Sequence, residues 1–292
     1  ASTRIEGSQL PNNAIDHLLK NLDISKLEER DAQEVVGYYD ALELIHASYD
    51  KVDFTEGNIK NLHNLLMKYS VKDKWHKGEY KQHSNAVEAT FPDGSKQIIF
   101  KTTEVGLATK EAMQSLVAWF QKEKTVHPLV KCALFTYEFL SIHPFQDGNG
   151  RLSRLLTNLI LLQQHYSWLK YVSFEHEIEL QKTEYYRQLR LCQSQRPNED
   201  TTLWVLFFLI ALRNVQLSLQ KKLEHEGTTQ ALNSKEKLIY IYIQNHSGCK
   251  SSEMANSLNL PLPTIKRLLA RLVKLNLINK QGIGPSTNYY SL

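Results

Sequence analysis

Apolar residues recur over the first three quarters of this chain at helical spacing, three and four positions apart. Asp31 to Tyr49 carries Val35, Val36, Tyr39, Leu42 and Ile45 as one stripe. Thr55 before Glu56 opens a second helix, with Ile59, Leu62, Leu65 and Leu66 on one face. The pattern repeats over Glu111–Phe120, Leu129–Leu140, Leu152–Leu162 and Lys182–Cys192. Leu203–Leu219 is the most hydrophobic segment. Its uninterrupted apolar run stops at Leu212, far short of the ~18–20 residues of a membrane span, and reads as a buried core helix. Two places break the helical period. Ala86–Phe91 and Lys96–Lys101 flank Pro92-Asp93-Gly94-Ser95, turn residues that predict a β-hairpin. His143 to Gly150 is a loop containing Pro and Gly, set between two strongly apolar helices.

Beyond a soft boundary at Glu224–Thr229 the elements shorten. Helices are predicted over Lys235–Gln244, Ser251–Leu258 and Pro263–Leu275, the last with proline near its first turn. Leu277–Lys280, a Gly282/Gly284/Pro285 turn and Asn288–Ser291 then form a small hairpin. Three short helices and a hairpin describe a winged helix-turn-helix. The 292 residues accommodate two domains, and 42% hydrophobic against 23% charged residues is the balance of a folded globular chain rather than a disordered one. The net charge of +4 is unevenly placed: eight Lys/Arg face two Asp/Glu from Thr228 onward, and the remainder is slightly acidic. A basic tail module on an acidic body implies two different tasks. Cys132, Cys192 and Cys249 lack the spacing of zinc ligands or of a disulfide framework, which favours a reducing compartment. No basic-then-apolar leader opens the chain, so the expected location is cytoplasmic, with no membrane partner. The chain begins at Ala1, and its first residues read as the interior of a longer sequence.

The informative stretch is His143-Pro144-Phe145-Gln146-Asp147-Gly148-Asn149-Gly150-Arg151-Leu152-Ser153-Arg154. Gly148 and Gly150 let the backbone curl and bring its N–H groups close to a ligand. Those amides open a helix, where unpaired N–H groups and the dipole favour an anion such as phosphate. Arg151 and Arg154 are three apart and can face the same anion. Asp147 is a hard oxygen donor suited to Mg²⁺ bridging phosphates. His143, four residues upstream, can act as a base near neutral pH. Phe145 is expected to pin the loop to the core.

This stretch matches every specified position of His-x-Phe-x-(Asp/Glu)-Gly-Asn-Gly-Arg-x-x-Arg, the signature of the Fic family, and the resemblance extends from about Glu34 to about Leu219. Most Fic proteins transfer AMP from ATP to Ser, Thr or Tyr hydroxyls of target proteins. By that likeness His143 deprotonates the hydroxyl, Asp147 holds Mg²⁺, and Asn149 with the loop amides holds the α-phosphate. Arg151 would take the β/γ-phosphates and Arg154 the γ-phosphate. Phe145, Gly148 and Gly150 fall in the same ATP-binding set. Tyr186 and Gln193 lie where the family contacts adenine, although many relatives carry Asn at the second place and Tyr186 serves equally well as a core residue. The hairpin, residues 86–102, corresponds to the flap along which a target segment docks; simple structural cover is its other reading.

Ser2-Thr3-Arg4-Ile5-Glu6-Gly7 resembles a second Fic element, the inhibitory motif (Ser/Thr)-x-x-x-Glu-(Gly/Asn). In that family class the glutamate pairs with the second arginine of the signature, here Arg154, and displaces the γ-phosphate. An inhibitory helix over residues 1–10 is therefore expected, prone to fraying because short helices are marginal. In the C-terminal module Lys266, Arg267, Arg271 and Lys274 sit on or near one side of a helix and could contact phosphates of duplex DNA, with Thr264 or Lys266 reaching bases. Winged helices also serve as docking or homo-oligomerisation modules.

The expected fold is all-α: a Fic helical bundle with one hairpin over residues 1–227, then a small winged-helix (α+β) domain over 228–292. The expected function is autoinhibited AMP transfer from ATP-Mg²⁺ to protein, itself included. Removal of AMP, transfer of another group, or a DNA-binding regulator that senses nucleotide remain as rivals.

Overall fold

The computed structural model describes residues 1–11, 14–15, 18–19, 29–90 and 96–291. The chain forms two compact units, Ala1–Val215 and Gln216–Leu292. The first contains α1 (Ser2–Ile5), α2 (Arg30–Ser48), α3 (Glu56–Leu66), β1 (Ala86–Thr90), β2 (Lys96–Lys101), α4 (Leu107–Lys122), α5 (Pro128–Ile142), α6 (Asn149–Gln163), α7 (Phe174–Leu180) and α8 (Lys182–Gln193). Helix α9 (Thr202–Gln230) begins in the first unit and ends in the second. The division between the units falls within this helix. Val215 is the helix's last residue in the first core, Leu217 and Leu223 are exposed, and Leu232 belongs to the second core.

Helix α6 is the centre of the first unit. Every residue from Arg151 to Leu162 is buried, including Leu152, Leu155, Leu156, Leu159 and Ile160. A helix buried on all sides needs neighbours on all sides, and α2, α3 and α5 pack against it. Local chemistry sets their starts. Thr55 Oγ1 accepts the Asn58 N–H at 3.2 Å to cap α3, and Pro128 opens α5, where a missing N–H costs nothing. Gly37 lets α2 approach α3: a Cβ there would lie 2.1 Å from the Leu66 carbonyl oxygen. Thr202–Glu224 is long and apolar enough, by length and composition, to cross a membrane. Trp204, Phe207, Phe208, Ala211 and Leu212 are buried in the first core, and Trp204 Nε1 donates to the Ala133 carbonyl at 2.8 Å, as in a core helix. Its other face carries the exposed Leu203, Leu206 and Ile210.

Strands β1 and β2 pair antiparallel from Ala86↔Lys101 to Thr90↔Lys96, with a bulge between Val87 and Glu88. The predicted turn, Pro92 to Ser95, and the strand residue Phe91 before it lie outside the described residues. The second unit contains α10 (Ser234–Asn245), α11 (Ser251–Leu258), α12 (Leu262–Lys274), β3 (Ile278–Gln281) and β4 (Asn288–Ser291). Asn233 and Glu236 form a reciprocal capping box at the start of α10. Ile265, Leu268, Leu269 and Leu272 form the buried stripe of α12 against Ile239, Ile243 and Met254. The hairpin β3–β4 folds back so that Tyr289 exchanges backbone hydrogen bonds with the Gly248–Cys249 segment.

Candidate functional site

The loop between α5 and α6 owes its shape to backbone rather than side-chain freedom. His143 ends α5 in the left-handed region (φ 52°), and Gly148 precedes α6 at φ 78°. A Cβ at Gly148 would press on Met67 Sδ at 3.2 Å and His63 Nε2 at 3.4 Å. Between them Phe145 is fully buried, its ring stacked on His63 with centroids 3.9 Å apart. His63 accepts the Gly78 N–H at Nδ1 (2.9 Å), so Nε2 carries the proton and donates to the Asp147 carbonyl (3.0 Å). Burial pushes His63 down to about 4, and the ring is a neutral strut beneath the loop. Asn149 closes the loop from within: its Oδ1 accepts from Phe145 N (2.9 Å) and its Nδ2 donates to Phe145 O (2.8 Å).

Two cavities meet at this loop. One, of about 310 Å³, is lined by Arg30, Glu34, Asp147, the Gly148–Arg151 turn, His143 and Glu6. The other, of about 240 Å³, is lined by Leu140, Tyr185, Tyr186, Leu189, Arg190 and Gln193, again with His143, Gly150 and Glu6. His143 thus faces both. Its Nδ1 lies 3.4 Å from the Leu140 carbonyl, and a proton held there leaves the Nε2 lone pair for the cavity. Burial, followed by the charge of Lys81, pushes His143 down to about 4, so it is neutral near pH 7. Burial opposes ionisation of Asp147, but Arg151, the Gly148 N–H and Arg30 together hold its carboxyl below the usual range.

Arg154 is buried in the middle of this arrangement. Its Nε donates to Ser2 Oγ at 2.8 Å, and its Nη2 to Ser2 O at 3.0 Å and to Glu6 Oε1 at 2.8 Å. The Glu6 carboxylate lies on Gly150, where an added Cβ would stand 2.2 Å from Oε1. The segment that carries Glu6 is shorter than the expected helix over residues 1–10. Helix α1 ends at Ile5, and the chain turns away at Gly7 with φ 108°. Four helical residues do not persist alone; the bidentate Arg4–Glu179 pair (2.5 and 2.9 Å) and the buried Ile5 hold them in place.

Phe145 and Asn149, both in the expected ATP-binding set, are engaged within the protein. The Phe145 ring faces the core and not the cavities, and both ends of the Asn149 amide are spent on the loop itself. Gln193 lines the second cavity but donates to Ser141 Oγ at 3.1 Å, and the Arg190 guanidinium lies 5.6 Å over the Tyr186 ring. Sequence reading missed Arg30 and Glu34. Arg30 Nη2 meets Asp147 Oδ2 at 2.7 Å, while Glu34 Oε2 meets Arg151 Nη1 at 2.9 Å. One turn of α2 therefore supplies a cation to the predicted metal ligand and an anion to the predicted phosphate ligand. The (i, i+4) spacing of Arg30 and Glu34 was the signal available.

The residues present fit a magnesium-bound nucleotide. Arg151 Nε is buried without a hydrogen-bond partner among the described residues, and the first N–H groups of α6 have no partner within their helix. Among the described residues no cluster of three or more His, Cys, Asp or Glu side chains forms a metal cage. A single carboxylate completed by phosphate oxygens and water is how Mg²⁺ is commonly held.

Both parts of the chain match known families. The model of the Fic/DOC family matches residues 53–161. The chain carries a Fic domain. A second model, described as winged helix-turn-helix DNA-binding, matches residues 232–279. The Fic region resembles the protein adenylyltransferase Fic of Drosophila melanogaster, 32% identical over 136 residues, which is 46% of this chain and 25% of the fly protein. The chain thus spans about a quarter of the length of the curated relatives it matches. Among solved structures, a Fic family protein from Desulfovibrio desulfuricans G20 matches with a TM-score of 0.61 and 25% identity, covering 100% of this chain and 84% of that one. A Fic domain containing signaling protein from Bacteroides thetaiotaomicron matches with a TM-score of 0.58 and 26% identity, over 75% of this chain and 83% of that one.

Removing Glu6 takes from the buried Arg154 its carboxylate partner and leaves the two Ser2 hydrogen bonds. Glu6→Gly is expected to lower stability by about 1–2 kcal/mol, reduced by the partial exposure of the glutamate. Tripolyphosphate should restore the melting temperature of this variant and raise that of the wild type less, as differential scanning fluorimetry with and without the anion would measure.

Proposed function

We propose that the chain transfers AMP from ATP-Mg²⁺ to a Ser, Thr or Tyr hydroxyl of a protein, and that Glu6 holds this activity in check. The observation that carries the reading is that His143 lines the same cavity as Asp147, the α6 N-terminus and Arg151, with its Nδ1 3.4 Å from the Leu140 carbonyl. Nε2 accepts the proton of the target hydroxyl. The hydroxyl oxygen bonds to the α-phosphorus, the bond from that phosphorus to the α–β bridging oxygen breaks, and pyrophosphate leaves with the electron pair. The α6 amides and Arg151 stabilise the charge that develops on the phosphates. Asp147 would hold Mg²⁺, which supplies charge neutralisation between the phosphates. Tyr186 and Gln193 border the cavity that would take adenine.

Glu6 occupies Arg154 and leans over Gly150, at the junction of the two cavities. In this reading a terminal phosphate competes with that carboxylate for the guanidinium, and a nucleotide bound while Glu6 stays in place is misaligned for in-line attack. Intact-protein mass spectrometry of Glu6→Gly with ATP and Mg²⁺ is expected to show an added AMP mass. The adduct should be weaker or absent in wild type and lost in Glu6→Gly/His143→Ala. An adduct of equal extent in wild type would remove the brake. None in any form, with ATP still bound, would favour the nucleotide-sensing regulator.

For the second unit we infer contact with duplex DNA through the outward side of α12. Lys266, Arg267 and Lys274 are exposed there. Arg271 sits at the edge of this side, its guanidinium 3.1 Å from the buried Glu236 carboxylate while its side chain stays exposed. Binding to duplex should weaken steeply with salt, and Lys266→Ala and Arg267→Ala should each lower the slope by about 1. No binding at about 50 mM salt would leave the module to protein docking or homo-oligomerisation.

A further inference from the structure

The ammonium of Lys81 lies inside the protein, between the hairpin and the loop that carries His143. Lys81 is 3% exposed. Its Nζ donates to Asn85 Oδ1 at 3.0 Å, to Thr102 Oγ1 at 2.8 Å and to the Ile142 carbonyl at 3.2 Å. Asn85 immediately precedes β1 and Thr102 immediately follows β2, so one cation joins both feet of the hairpin to the residue before His143. The feet are also tied to each other, since Thr102 Oγ1 lies 2.7 Å from Asn85 O and 2.6 Å from Asn85 Oδ1. Two further bonds reach the loop: Asn85 Nδ2 donates to Phe145 O at 2.9 Å, and Lys81 N donates to Pro144 O at 2.8 Å. Three oxygen acceptors match the three protons of an ammonium.

We propose that Lys81 is a positioning residue that fixes the backbone of the hairpin strands in register with His143, so that a target segment laid along the hairpin presents its hydroxyl to the base. The part of this concerning the target rests on the transferase reading; the tether itself does not. A buried ammonium is expensive unless every proton is used, and all three here are spent on joining the hairpin to the loop. Burial lowers Lys81, opposed by Glu104, to about 8, so the cation that makes these bonds is the prevailing form at neutral pH. Lys81 lines neither cavity of the site, and its charge also acts on His143.

Amide hydrogen exchange followed by mass spectrometry tests the tether without any activity. In the Glu6→Gly protein, adding Lys81→Met should speed exchange over residues 86–90 and 96–101 by about tenfold, equivalent to losing one hydrogen bond to a charged group. Exchange in α6 should stay unchanged, and binding of a non-hydrolysable ATP analogue should change less than about twofold. The initial rate of self-modification should fall at least about tenfold. Thr102→Val, which removes one acceptor and keeps the lysine, should show a smaller change in the same direction and decides the matter if Lys81→Met does not fold. Hairpin exchange equal to that of the parent, or acceleration shared equally by α6, would overturn the tether. Local acceleration with an unaltered transfer rate would overturn its role in aligning the target. Should Glu6→Gly itself transfer nothing, the transferase reading fails while the exchange measurement still decides the tether.

Discussion

A guanidinium in the interior of a protein must be paired, and the arrangement of the first unit follows from where Arg154 finds its partners. Arg154 projects from a helix buried on every side, so it is not free to reach water. An isolated charge there would cost several kcal/mol. Ser2 and Glu6 meet that need from a four-residue helix that has no independent stability. The dependence runs both ways: the N-terminal segment is held by Arg154 as much as Arg154 is held by it. A contact of this kind is replaceable by any anion that reaches the same guanidinium, and a terminal phosphate is such an anion. In the proposed reading the stability of the resting protein and the restraint on its chemistry are one interaction.

The same logic extends to the neighbouring arginine. Arg151 meets Glu34, and Asp147 meets Arg30, so the predicted phosphate ligand and the predicted metal ligand each face a protein group of the sign they would meet in Mg-nucleotide. The loop beneath them does not depend on a ligand for its shape. Phe145 on His63, the Asn149 amide closing on Phe145, and Lys81 at the feet of the hairpin set it from within. The site is rigid at its base and charge-compensated at its mouth.

Much of this was legible in the chain. The helical stripes of α2, α3, α5 and α6 are visible because each packs one or more apolar faces at a fixed period, and the winged module shows itself by three short amphipathic helices before a hairpin. The chemistry of residues 143–154 was legible because glycines, arginines and a carboxylate at that spacing have few other uses. What the sequence hid were partnerships across long separations. The Phe145 ring stacks on His63, and the His63 imidazole also bonds the Asp147 carbonyl and the Gly78 N–H, far apart in the chain. The end of α1 at Ile5 is set by Gly7 and by Glu179, far along the chain. Lys81, Glu34 and Arg30 look like ordinary surface charges in sequence, and only folding brings them to the site.

The central claim is that Glu6 and a terminal phosphate compete for Arg154. Crystal structures of wild type and Glu6→Gly, each with Mg²⁺ and a non-hydrolysable ATP analogue, test it most directly. The account predicts that in Glu6→Gly the terminal phosphate accepts hydrogen bonds from the Arg154 guanidinium and the α-phosphorus faces His143 Nε2. In wild type Glu6 should keep Arg154, with the triphosphate seated elsewhere. The same triphosphate pose in both proteins, with Glu6 still on Arg154, would contradict it.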